Sequence, residues 1–131
     1  MDWARYIGIP KLAGGRTLAG LDCWGLPWLI YRDELGILLP EYDGAYVDTS
    51  ERDTIARLID GGRHVWRDVD SPRPFDLLLF EVEGIASHIG IARNAREMLH
   101  VEDRDGSCCV ELRRSPWRRR LVAIGRHEAL A

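Results

Sequence analysis

Residues 20–40 read GLDCWGLPWLIYRDELGILLP, and the reading of this stretch decides the fold. Leu26, Leu29 and Ile30 recur at helical spacing, and Gly36 suits the C′ stop. Pro27 has no N–H, so a helix tolerates it only in the first turn. A helix is therefore predicted from Cys23 or Trp24 to about Leu35. A cysteine used for packing belongs in the middle of an apolar face. Cys23 stands instead at the helix entrance, between Asp22 and a Trp-Gly pair. Three readings are open: packing residue, metal ligand or nucleophile.

Outward from this helix, the first half of the chain reads helical. DWARYIG allows one or two turns, ended by Gly8 and Pro10, and PKLAGGRTLAG is a glycine-containing loop. A further helix is expected over 50–60, with Ser50 as cap and Asp53 in the reciprocal position. Ile55, Leu58 and Ile59 form its buried stripe, and Gly61-Gly62 ends it. The second half reads as strands: RHVWRDV, DLLLFEV, SHIGIAR, EMLHVED, SCCVEL and RLVAIGR, broken by Gly84, Asn94 and Asp105-Gly106. Helices first and an antiparallel sheet afterwards give an α+β class. The 131 residues suit one domain, 1–131, with one real core.

Apolar residues make up 46% and charged residues 30%, an ordinary globular balance and not a disordered one. The formal net charge is -3, which argues against bulk attraction to nucleic acid or anionic membrane. The first residues lack a basic start followed by an apolar run, so synthesis in a cytoplasm without the usual export signal is expected. No stretch approaches the roughly 18–20 apolar residues of a membrane helix, so membrane insertion is not expected. Cysteines number 3, with Cys108 and Cys109 adjacent, which disfavours a disulfide framework.

A thiol attacks as thiolate, and a helix start or a neighbouring imidazolium lowers its pKa. Of the 4 histidines, two form a pattern. If SHIGIA and REMLHVE form a hairpin about Arg93-Asn94-Ala95, His88 opposes His100 on one face. A register shift of two keeps them on that face. One imidazole then serves as base and the other orients it. The same two histidines also fit an ordinary core pair. With Cys23, and Cys108 or Cys109 as a fourth ligand, they can also be read as a zinc site. The chain lacks the close C-x₂-C pair that structural zinc sites favour. Neither a metal nor another cofactor is assigned. His64 and His127 have no partner pattern, and Cys108 and Cys109 read as strand packing.

The motifs as a set resemble the NlpC-type cysteine peptidases, a papain-like group that cuts peptidoglycan stem peptides. The matching elements are Gly8, Pro10, Gly14-Gly15, Asp22-Cys23, Gly25-Leu26, Gly36-Ile37 through Pro40, RPFDLLLF and SHIGIA. His100 falls where the third polar catalytic residue is expected. The resemblance implies a papain-like α+β fold, Cys23 as nucleophile, His88 as base and His100 as orienter. It also implies Asp22, Trp24 and Ser87 beside the substrate or oxyanion, and no metal or cofactor. Trp24 in place of the usual Ser, together with SPWRRR, looks like the branch found in phage tails and gene transfer agents. That implies a tail-particle location, stem peptide as substrate and tail-tip or hub proteins as partners; a tail-tip structural protein with weak or no hydrolysis and an intracellular amidase of the same fold are the alternatives. In this sequence Lys11, Pro27 and Phe75 depart from the family pattern. RRSPWRRR, with five arginines about Trp117, is read as a docking surface, or as a basic turn with Trp117 packed into the core.

Overall fold

The computed structural model describes residues 1–40 and 65–130. The helix expected at 50–60 and His64 lie outside the described residues. The chain opens with a 3₁₀ turn, Trp3–Tyr6, capped by the Asp2 carboxylate. A two-residue hairpin follows, Arg16–Thr17 (β1) with Gly20–Leu21 (β2). Next comes a helix, Gly25–Ile30 (α1), buried along its whole length.

The expected helix has the right extent but not uniform geometry. After Ile30 it widens into a π turn, Tyr31–Leu35, and stops at Gly36 in the left-handed region with φ 66°. The widening coincides with the anchoring of Tyr31, whose hydroxyl donates to the Phe75 carbonyl at 2.5 Å. Its ring meets Trp66, Phe75 and His127 edge-on. Burial raises the Tyr31 pKa and keeps the hydroxyl a donor.

The strands follow the sequence reading closely. They are β3 (Trp66–Asp68), β4 (Leu77–Val82), β5 (Ile85–Ala92), β6 (Glu97–Glu102), β7 (Gly106–Glu111) and β8 (Leu121–His127). They form a 6-stranded antiparallel sheet in the order β3-β8-β4-β5-β6-β7. β4 and β5 are joined by Glu83-Gly84, both at positive φ (53° and 80°), the geometry a two-residue hairpin requires. Between β7 at the edge and β8 inside the sheet, the chain makes a short helix, Trp117–Arg120 (α2).

Strand alternation divides the core in two. Leu77, Ile89, Ile91, Leu99 and Val101 pack toward α1, with Cys23, Trp24, Leu26, Leu29 and Ile30. Leu78, Phe80, Ala92 and Met98 face the other way, toward Trp117, Leu121 and Ile124. The N-terminal arm is stitched to β7: Gly8 N–H donates to the Ser107 carbonyl (2.7 Å) and Ile9 N–H to Ser107 Oγ (2.8 Å). A buried Asp76–Arg126 pair ties the start of β4 to β8, with oxygens at 3.0 Å from Nε and 2.7 Å from Nη2.

Phe75, one of the family departures, has φ 78°, a conformation that glycine adopts freely and a phenylalanine does not. The Phe75 backbone is held on both sides, its N–H by the Ala92 carbonyl (2.9 Å) and its C=O by Tyr31. Its ring lies against Trp3 at 5.2 Å.

Candidate active site

Cys23 sits in the turn that leads into α1, and is buried. Helical hydrogen bonding begins two residues before α1 proper: Leu26 N–H reaches the Asp22 carbonyl (3.3 Å) and Trp28 N–H the Trp24 carbonyl (3.0 Å). Asp22 acts as the cap. Its Oδ1 accepts from Gly25 N–H at 2.6 Å and from Arg16 Nη1 at 2.8 Å, and its Oδ2 from Gly14 N–H at 3.0 Å. This places Cys23 in the first turn, where backbone N–H groups lack intrahelical partners. Pro27 is the third residue of α1 and lacks the N–H that would bond the Cys23 carbonyl. Gly25 is required by crowding, since a Cβ would run into the Gly15 carbonyl oxygen.

Asp22 had been expected beside the substrate. It is wholly buried and its two oxygens are engaged, so it braces the Cys23 turn. Trp24 is also turned inward, its Nε1 donating to the Pro40 carbonyl at 2.7 Å.

The structure brings the two histidines together. His88 Nε2 and His100 Nδ1 are 2.9 Å apart. The register differs from the one expected: β5 and β6 pair as Ile91↔Leu99 and Ala92↔Met98. The connection is wider because Asn94 Oδ1 accepts from both Arg96 and Glu97 N–H, each at 2.8 Å. Arg93 N–H also closes on the Glu97 carbonyl at 2.9 Å. The slip is by two residues, so the histidines keep one face and meet diagonally.

Bulges flank this point. β4 pairs with β5 as Phe80↔His88 and then Glu81↔Ala86, which leaves Ser87 as the extra residue. On the other side β4 pairs with β8 as Leu79↔Ala123 and then Phe80↔Leu121, which leaves Val122 extra. Bulges bend a sheet and re-aim the side chains beside them. Ser87, expected near the oxyanion, is thus the buried bulge residue next to His88.

The histidines lie in an aromatic box. Trp117 stacks on His88 (centroids 5.2 Å, 23° between planes) and meets His100 edge-on at 4.6 Å. Phe80 closes a third side, 6.1 Å from His88 and 5.2 Å from Trp117. Burial, then the His100, Lys11 and Arg120 charges, pull the His88 pKa down to about 3. His88 is uncharged at neutral pH, which suits a base and not a preformed imidazolium. Burial also lowers the His100 pKa, against the Glu102 carboxylate. Glu102 Oε1 is 2.9 Å from His100 Nε2, within ion-pair range but out of alignment for a hydrogen bond.

Cys23 and the histidines occupy different sides of β5. Cys23 packs in the cluster of Ile89 and Ile91, whereas alternation gives His88 and His100 the face of Phe80, Met98 and Trp117. Lys11, whose charge acts on His88, forms a bridge with Leu21, two residues before Cys23, and pairs with Asp103 just beyond β6.

Of the other candidates, His127 packs edge-on against Trp66 at 5.0 Å, away from the pair. Cys109 lies near Arg93 and Glu97, and Cys108 is the cross-strand partner of His100. No disulfide joins the three cysteines. Two residues at the pair escaped the sequence reading. Glu102 was legible from alternation, being two positions after His100. Trp117 was not, because only the crossover to β8 carries it over the histidines. In the basic segment Trp117 is packed into the box and Arg120 sits 5.9 Å from its ring, while Arg113, Arg114, Arg118 and Arg119 are exposed.

Among known proteins, the sequence pattern of the NlpC/P60 family matches residues 9–126. The chain is 25% identical over 119 residues to the murein DD-endopeptidase MepS/murein LD-carboxypeptidase of Escherichia coli (strain K12). That match covers 91% of this chain and 56% of the relative, so the chain spans about half the relative's length. The fold resembles the NlpC/p60 domain of the peptidoglycan hydrolase SagA, with TM-score 0.65 and 17% identity over 92% of this chain and 89% of that one. It also resembles a lipoprotein-like NLP/P60 protein of Staphylococcus aureus subsp. aureus Mu50, with TM-score 0.67 and 22% identity over 95% of this chain and 38% of that one. With a family pattern that runs from the N-terminal arm through β8, the chain belongs to the NlpC/P60 family.

Proposed function

We propose that the chain is a cysteine peptidase that cleaves peptidoglycan stem peptides, with Cys23 as nucleophile, His88 as base and His100 as orienter. The observation that carries this reading is the 2.9 Å contact of His88 Nε2 with His100 Nδ1. It leaves Nδ1 of a neutral His88 to take a thiol proton. Cys23 sulfur attacks the peptide carbonyl while its proton passes to His88. The backbone N–H of Cys23 helps to hold the oxyanion. His88 gives the proton to the leaving amine as the C–N bond breaks, then takes one from the water that hydrolyses the thioester. This reading requires thiol and imidazole to approach each other at the bulged end of β5, near Lys11. Family membership and the murein endopeptidase relatives support the substrate class.

The residues DCWGL and SPWRRR support a finer reading, a phage-tail or gene-transfer-agent component that opens the wall for DNA passage. A second reading is a tail-tip structural protein with weak hydrolysis. It is favoured by Trp117 covering His88 on the face away from Cys23. Purified sacculi are the test. Release of stem-peptide fragments, identified by mass spectrometry and absent with Cys23→Ala, is expected. No release would leave the structural reading.

A further inference from the structure

Three residues outside the proposed Cys23–His88 couple converge on the far side of the histidine pair. His100 and Glu102 alternate along β6 and so share a face. Cys108 on β7 is the cross-strand partner of His100. Their ligand atoms all lie within 4.8 Å of one another. A divalent ion held at about 2.0–2.3 Å by N, O and S donors needs them roughly 3.3–3.8 Å apart, a small side-chain adjustment. His100 is wholly buried, and its Nε2 is aimed into this cluster, 2.9 Å from Glu102 Oε1.

The donor set selects the ion. Imidazole with thiolate and one carboxylate suits zinc or cobalt, not magnesium or calcium, which take oxygen ligands. Binding expels the Cys108 thiol proton to solvent, and the thiolate and carboxylate charges then offset those of the ion. Three protein ligands leave the fourth position to water.

We propose that His100, Glu102 and Cys108 form a zinc-class metal site whose occupation holds the histidine pair in an unreactive tautomer. A carboxylate beside His100 Nε2 favours a proton there, so Nδ1 accepts from His88 Nε2–H. His88 Nδ1 is then bare and able to take the thiol proton. A metal on His100 Nε2 displaces that proton to solvent. The neutral ring must then carry its proton on Nδ1 and donate it to His88 Nε2. His88 now has its own proton on Nδ1, taken from solvent, and has no lone pair for the thiol. The binding claim stands on the three residues alone, whereas the inhibition claim rests on the peptidase reading.

Cobalt(II) titration of the metal-free full chain separates the two. A thiolate-to-cobalt charge-transfer band should saturate at one equivalent. It should persist in Cys23→Ala and Cys109→Ser, disappear in Cys108→Ser, and weaken in Glu102→Gln, with folding of each variant checked by circular dichroism. No band in the wild type, or a band that survives Cys108→Ser and vanishes in Cys23→Ala, overturns the site. In a stem-peptide assay, zinc should inhibit the wild type at least about tenfold more strongly than Cys108→Ser, the scale on which metal-site changes act. Equal inhibition overturns the tautomer lock. A wild type with no hydrolysis refutes the peptidase reading, while the cobalt band still decides the metal site.

Discussion

Replacing Trp117 with alanine removes one wall of the box around His88 and should change both the stability and its dependence on pH. Loss of a core Trp or Phe side chain costs about 3–5 kcal/mol. Trp117 is partly exposed, so about 2–3 kcal/mol is expected at pH 7. For a domain of this length that lowers Tm by roughly 6–10 °C. The acid behaviour is more diagnostic. The folded-state pKa of His88, about 3, lies below its ordinary value of 6.5. Between those values the unfolded chain binds more protons, so stability is full above about pH 6.5 and falls as pH drops through the window. From pH 6.5 to 4.5 the full loss is about 2.7 kcal/mol. His88 keeps a partly exposed edge, so roughly 1–2 kcal/mol is realistic. Trp117→Ala admits water and returns His88 toward its ordinary pKa, which cancels this loss. Thermal unfolding at pH 7 and pH 4.5 should show the gap between wild type and variant closing by about 1–2 kcal/mol in acid. The narrowing should vanish in a His88→Gln background. A gap that stays constant with pH would refute the idea that Trp117 holds His88 uncharged.

Other outcomes follow from the same structure. Asp22→Ala removes the carboxylate paired with buried Arg16 and the acceptor of two backbone N–H groups; a loss of about 3–5 kcal/mol by chemical denaturation is expected. Gly25→Ala forces the Gly15 carbonyl away and should abolish peptide hydrolysis even where circular dichroism shows folded protein. His100→Asn should retain more activity than His100→Ala, because an amide can still orient His88; equal losses argue against an orienting role. Arg118, Arg119 and Arg120 replaced by Ser should reduce hydrolysis of soluble peptide if the box borders the substrate. Unchanged hydrolysis with poor incorporation into tail particles would instead support docking.

Periodicity made most of the fold legible. All six strands of the main sheet were readable as short apolar runs broken by turn residues. The α1 start was readable to within one or two residues because Pro27 is tolerated only in the first turn. The π turn was not, since it coincides with Tyr31 reaching Phe75, a contact remote in sequence. The β5–β6 register was misjudged by two because the Asn94 side chain, and not the backbone alone, closes the turn. His88 and His100 nevertheless met, as parity survives an even slip. Phe75 departs from the family pattern, and its positive φ is a conformation that favours glycine. Trp117 was invisible at the site because a crossover brings it there.

The central claim is that the Cys23 thiol and His88 act on each other, although they pack on different faces of β5. The most direct measurement is the rate of iodoacetamide labelling at neutral pH, mapped by mass spectrometry in wild type and His88→Gln. Cys23 should label fastest in the wild type and at least about tenfold more slowly without the base, the lower range of general-base effects being near a hundredfold. Cys108, its thiol pushed up to about 12, should stay unlabelled in both. Equal Cys23 rates in the two proteins would contradict the account.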